Sequence, residues 1–205
     1  MYQYIIGCDN GTTGKYCVMN INGQILDFQP VPIFNHPGWS KPKKVKKINK
    51  EGVQETKIKQ TTFNFIDIVK LKDLWSKIPD TTKTICYLER PAVNYQARWS
   101  MQTSLSAFGA WQAVIYVLRS LNIPYEIIDS RQWQTVLIPQ ALGKNNKEYV
   151  RKQRELGKRN DLLKKAADEL AHKLFPQITK KDCDSICIAE CFRRVQVHNQ
   201  ALTNE

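Results

Sequence analysis

The chain has 205 residues, enough for one well-cored α/β domain with an insertion and short for two. Its 31 Lys and Arg against 19 Asp and Glu leave a net charge of +12, which favours a polyanionic partner such as nucleic acid or an anionic membrane surface. No apolar run approaches the roughly 18 residues that span a bilayer, and the polar start MYQY does not read as a signal peptide. The expectation is an intracellular protein, cytosolic or located wherever its nucleic acid is, and not secreted.

In chain order, QYIIGCD (3–9) reads as a strand. KYCVMNI and QILDFQPVPI, joined at Asn22-Gly23, read as a hairpin with a tight turn. From about 36 to 60 the composition changes: KPKKVKKINKEGVQETKIK carries eight lysines and no aromatic residue. This predicts a solvated basic loop or flap inserted in the domain, with no need of order in the absence of a partner. FNFIDIVKLKDLWSKI (63–78) carries Phe65, Ile66, Val69, Leu74 and Ile78 near helical spacing and predicts a helix. TICYLE (84–89) is continuously apolar and ends in a carboxylate, which suits a central strand buried on both faces. A long helix follows over 104–122, with Leu105, Phe108, Trp111, Ile115 and Leu118 as its inward stripe, and IPYEIID (123–129) is a further strand. Residues 161–175 are amphipathic, with Leu162, Leu163, Ala166, Leu170 and Leu174 on one side, and SICIAECF opens a last buried helix. Cys8, Cys17, Cys86, Cys183, Cys187 and Cys191 mostly sit in apolar runs without a CxxC pair, so they read as reduced core residues. Trp111 and Trp133 are assigned to packing.

The order strand, strand, strand, helix, strand, helix, strand, helix is the ribonuclease H-like arrangement. It predicts a single α/β domain over 1–205, with a mixed five-stranded sheet, helices on both faces and the basic insertion after the third strand. Within it, IIGCDNGTTG (5–14) sets Asp9 between an apolar run and a glycine-rich turn. Asp-Asn-Gly is a common turn between strands. Gly-Thr-Thr-Gly also resembles the phosphate-gripping hairpin of sugar kinases and actin-like ATPases. That architecture needs a longer chain and a second Asp-x-Gly-x-x-Thr hairpin, which this sequence lacks. The third reading places Asp9 at a metal site. Asp9 ends the first strand, Glu89 ends the fourth, and Asp182 and Asp184 open the final helix. Carboxylates gathered at strand ends are costly unless paired or bound to a cation. Hard oxygen donors suit Mg²⁺, with Mn²⁺ as a substitute, and two such ions about 3.5–4 Å apart activate water and stabilise the leaving oxygen in phosphodiester cleavage.

The set IIGCDNGTTG, CYLERP, SLSAFGAWQAVIYVLRSLNIPYEIIDSRQWQTVL, LFP and KKDCDSICIAE resembles the RuvC-type Holliday junction resolvases, especially their phage and plastid branch. The resemblance covers nearly the whole chain, and the basic insertion is its least matched part. It implies a dimeric, Mg²⁺-dependent endonuclease, a hydrolase of DNA recombination and repair that cuts opposed strands of four-way junctions. It also implies that Asp9, Glu89 and Asp184 are catalytic metal ligands. Bacterial members place a second acid three residues before the last, where this chain has Lys181; Asp182 is either its substitute or a helix cap. Lys158 matches the family's active-site lysine, with Lys164 and Lys165 as competitors.

Charge and aromatic residues point to the DNA contacts. Residues 144–165 hold nine Lys and Arg, and with the insertion they predict strongly salt-dependent binding. The expected contacts are Lys43, Lys44, Lys46 and Lys47 in the flap and Lys144, Lys147, Arg151, Lys152, Arg154, Lys158 and Arg159 in the second run. Tyr95, Arg98 and Trp99 follow Glu89 and suit stacking on exposed bases at the crossover. The alternatives are another ribonuclease H-like nuclease or transposase, and a basic junction-binding protein that does not cleave.

Overall fold

The computed structural model describes residues 2–9, 11–37, 43–48, 54–59, 62–91, 101–138 and 159–203. Strands β1 (Tyr4–Cys8), β2 (Lys15–Asn20) and β3 (Ile25–Pro30) form an antiparallel meander. Gly23, at φ +87°, makes the turn between the second and third. Next come β4 (Ile33–Pro37), β5 (Lys43–Ile48), β6 (Gln54–Lys59) and β7 (Thr62–Ile66). Helix α1 (Ile68–Ser76), β8 (Thr84–Glu89), α2 (Met101–Ser120) and β9 (Tyr125–Ile128) follow. The described chain ends with α3 (Ser130–Leu137), α4 (Arg159–Leu174) and α5 (Asp184–Thr203).

The main sheet has the order β3-β2-β1-β8-β9. β8 runs parallel to β1 and to β9, so the sheet is mixed and β1 and β8 lie inside it. Their continuous apolar runs follow from burial on both faces. Ile6, Cys8, Tyr16, Val18, Cys86 and Leu88 pack on α1 and α2. Ile5, Cys17, Met19, Ile85 and Tyr87 pack on α3, α4 and α5. This is the expected α/β fold, a mixed five-stranded sheet with helices on both faces. The six cysteines are buried and free.

The close approach of α5 to the sheet requires Gly7. A Cβ there would lie 2.2 Å from the Ser185 carbonyl oxygen and 2.5 Å from the Ala189 nitrogen. The middle of α5 is tied to the β2–β3 turn by Arg193, whose Nη1 donates to the Ile21 carbonyl at 3.2 Å. Arg193 and Arg194 both donate to Glu190, which is 3% exposed. Burial pushes the Glu190 pKa up, but these hydrogen bonds outweigh it and hold the carboxyl below its usual range.

Several expectations are corrected. The basic insertion is a paired β-structure: β5 and β6 pair antiparallel from Lys43↔Lys59 to Ile48↔Gln54, nested within the β4–β7 pairing. The helix expected over 63–78 begins only at Ile68, because Asp67 accepts from the Lys70 amide at 3.0 Å and caps it. Phe63 and Phe65 alternate with period two in β7, and Phe65 stacks on Phe34 across the ribbon. In consequence Val69 is exposed, and Leu71 and Trp75 are the buried residues of α1. On α2 the buried residues are Ala110, Val114, Val117 and Leu118, while Leu105 and Phe108 are exposed. Of the expected stripe, Leu118 is buried and Trp111 and Ile115 pack partly against the core; that helix is apolar around much of its girth, so spacing did not single out the face completely. On α4 the expected Ala166 and Leu170 pack partly against the core, but the fully buried residues are Ala167 and Ala171, and Leu174 is exposed. α3 was not foreseen, although Gln132 accepts from the Asp129 amide at 2.7 Å in the manner of a capping box.

Candidate active site

Alternation along two neighbouring parallel strands gathers the acids. Ile5 and Ile85 face α5, and residues two and four further along share that face. The β1–β8 register ends at Cys8↔Leu88, so its continuation sets Asp9 beside Glu89. Asp9 remains held to β2, since its amide donates to the Lys15 carbonyl at 3.0 Å. The glycine-rich turn is needed there: a Cβ on Gly14 would lie 2.2 Å from the Asp9 carbonyl oxygen. Asp184 arrives from the other side as the first residue of α5. That position favours an acid through the helix dipole, and Asp184 Oδ1 is buried without a hydrogen-bond partner.

The electrostatics record this proximity. Asp9 is pushed up to about 7, first by burial and then by the Asp184 charge, against the opposing pull of Lys164 and Lys15. Glu89 is pushed up to about 8 by burial, then by Asp9 and Asp184. Asp184 is pushed up to about 6 by burial, with Asp168 and Asp182 adding to it while Lys164 and Lys15 oppose. Three partly desolvated acids thus carry a deficit of positive charge. Among the described residues, however, no group of three or more His, Cys, Asp or Glu side chains is drawn together tightly enough to hold a metal ion.

Two residues at the site were missed from sequence. Trp133 is 1% exposed and packs in the core, as assigned, but its Nε1 also donates to Glu89 Oε2 at 3.3 Å. That bond favours the ionised carboxylate and opposes the effect of burial. Lys15 lies opposite Asp9 across the first turn, and its ammonium donates to the Lys181 carbonyl. The signal for Lys15 was available, because a hairpin that starts after Gly14 puts the next residue beside Asp9. Nothing in the sequence marked Trp133.

The other expected site residues divide as follows. Asp182 is exposed and pairs with Lys164 at 3.6 Å and Lys15 at 4.0 Å. Its carboxylate faces these lysines, and among the described residues no α5 amide donates to it; the Cys183 amide donates to Asp168. Lys164 acts electrostatically on both Asp9 and Asp184, whereas Lys165 pairs with Glu169 at 3.8 Å. Lys43, Lys44, Lys46 and Lys47 lie on β5, and Arg159 opens α4. Tyr95, Arg98, Trp99, Lys144, Lys147, Arg151, Lys152, Arg154 and Lys158 lie outside the described residues. A separate apolar cavity of about 650 Å³, lined by Phe34, Phe63, Phe65, Leu105 and Gly109 among others, includes none of the carboxylates. No described helix is long and apolar enough to cross a membrane.

No family model matches the chain, and no curated protein matches it. Among solved structures, the Thermus thermophilus RuvC structure aligns with a TM-score of 0.47 at 9% identity, covering 95% of this chain and 96% of that chain. Likeness at this level bears on neither activity nor ligand.

Proposed function

We propose that this chain is a structure-selective DNA endonuclease of the RuvC type, a divalent-metal-dependent hydrolase that resolves four-way junctions and leaves 5′-phosphate and 3′-hydroxyl ends. The observation that carries the reading is the meeting of Asp9, Glu89 and Asp184 on the α5 face of the sheet, each with its pKa raised by burial. The net charge of +12 supports a polyanionic substrate, and the motif resemblance supports the junction as its form.

The donor set fits Mg²⁺ or Mn²⁺ in its chemistry: hard oxygens, a surplus of negative charge and an orphaned Asp184 Oδ1. Asp9, Glu89 and Asp184 would hold the metal, which when bound activates water and stabilises the leaving oxygen. The remaining roles belong to the chain itself. Trp133 orients Glu89 and favours its ionised form. Lys164 supplies positive charge facing Asp9 and Asp184, which makes it our choice for the active-site lysine among the described candidates. The basic ribbon and the segment around 144–165 supply phosphate contacts. The resemblance also implies a homodimer, and the exposed Leu105, Phe108 and Tyr116 of α2 offer apolar surface for one.

The test is cleavage of a labelled four-way junction by point variants. Asp9→Asn, Glu89→Gln and Asp184→Asn should each abolish Mg²⁺-dependent cutting while leaving junction binding within a few-fold, because they remove metal charge and not the phosphate-binding surface. A variant that cuts at near the unmodified rate removes its residue from the site. One observation favours a second reading, a junction-binding protein without cleavage: the described acids do not converge tightly enough to hold a metal. Absence of any Mg²⁺- or Mn²⁺-dependent product from a chain that binds junctions would select it.

A further inference from the structure

Two lysines flank one exposed acid next to the carboxylates, and a third shares an aromatic ring with one of them. Lys15 is mostly buried, with 14% of its side chain exposed, and its ammonium lies 5.4 Å from the Phe28 ring centroid. Lys180 approaches the same ring at 5.6 Å and donates to the Phe28 carbonyl at 3.3 Å. Lys164 reaches in from α4. The loop before α5 is pinned beneath them: His172 Nε2 lies 2.9 Å from the Lys180 carbonyl oxygen, and Asp168 accepts from the Cys183 amide at 2.9 Å. The pinned loop presents Asp182 in the left-handed region, at φ +58°, a conformation that disfavours most side chains.

Asp182 spans the two nearer lysines with one oxygen each, Oδ1 toward Lys164 and Oδ2 toward Lys15. An exposed ion pair adds little to stability, and Asp182 is 56% exposed, so fold stability does not account for the pairing of this acid with the two lysines. A phosphodiester has the same single charge and also offers two free oxygens. It can therefore replace the Asp182 carboxylate between the same two ammonium groups. The charges of both lysines also act on Asp9 and Asp184, so a phosphodiester held there lies within reach of the same electrostatics.

We infer that Lys15 and Lys164 form a phosphodiester-binding pair beside the carboxylates, and that Asp182 occupies this pair as a stand-in anion until DNA displaces it. The inference rests on the nuclease reading and gives Asp182 a role distinct from both metal ligand and helix cap. It accounts for the acid's exposure, for its two partners and for the absence of a bond to the α5 amides.

The experiment measures four-way junction affinity in EDTA across a salt series, so that metal binding does not enter. Asp182→Asn should tighten binding several-fold and steepen the plot of log affinity against log salt. Lys164→Gln and Lys15→Gln should weaken binding, each flattening the slope by about 0.9. The gain from Asp182→Asn should vanish in the Lys164→Gln background. Glu169→Gln removes the same charge at the Lys165 pair on α4 and serves as the control, with a smaller effect expected. Lys164 is 55% exposed, so its variant keeps the test decisive even if Lys15→Gln fails to fold. An Asp182→Asn chain that binds no more tightly than the Glu169→Gln control, or whose gain survives loss of Lys164, overturns the inference. If the unmodified chain cuts junctions and Asp182→Asn changes only its metal requirement, the inference alone fails. A chain that binds no DNA at all overturns it together with the nuclease reading.

Discussion

Asp9, Glu89 and Asp184 are expensive residues to place as they are placed, because a carboxylate removed from water without a counter-charge takes up a proton instead. Their raised pKa values give a stability prediction for the metal-free chain. Below about pH 4 both folded and unfolded forms hold these protons. As pH rises, the unfolded carboxyls ionise first, whereas the folded ones wait until about 6, 7 and 8. Over that interval the folded state binds more protons, so its stability falls with rising pH. The melting temperature in EDTA should therefore decline from pH 5 to pH 8, and Asp9→Asn, which has no such proton to lose, should decline less. Mg²⁺ should raise the melting temperature more at pH 8 than at pH 5, since it binds the ionised form. A flat profile unaffected by Asp9→Asn would remove Asp9 from the charged cluster. These three acids were legible in the sequence because each closes a strand or opens a helix. Trp133 was not, since a buried tryptophan that also donates to a carboxylate has no pattern to distinguish it from one that only packs.

At the scale of elements, α5 reaches the sheet only because β1 offers it a residue without a side chain. Gly7→Ala places a methyl group against the backbone at Ser185 and Ala189, and backbone has no rotamer to move. We expect it to cost about 3 kcal/mol, read as a shift in the denaturant midpoint. Gly109→Ala is the matched contrast, because a Cβ there meets nothing within 4 Å and Gly109 lies inside α2. It should stabilise by about 1 kcal/mol through helix propensity. Equal effects of the two substitutions would contradict the packing described. The strands of the main sheet were legible because two-sided burial leaves continuous apolar runs, as in TICYLE. Helix faces were less so. Large apolar residues such as Leu105 and Phe108 dominate a periodicity reading, yet those two face outward, and Ala110, Val114 and Val117 join Leu118 in the core.

Across the whole molecule, the positive charge is unevenly placed, and its densest stretch forms a paired ribbon outside the main sheet. Composition identified the insertion but not its pairing, because lysine has low strand propensity and the β5–β6 pairing depends on register between two segments. Neutralising Lys43, Lys44, Lys46 and Lys47 together should weaken junction binding and flatten the salt slope by up to about 3.6, the sum for four phosphate contacts. An unchanged slope would leave the ribbon without a role in binding. Fold and charge together still admit several nucleases and a binding protein, so substrate choice decides among them. The most direct measurement incubates the chain with a labelled four-way junction, a matched duplex and an RNA–DNA hybrid, each with Mg²⁺ and with EDTA. A RuvC-type resolvase should make paired cuts in the junction with Mg²⁺ alone and give little product from the other two. Cleavage of the hybrid alone, or of the duplex as readily as the junction, would contradict it.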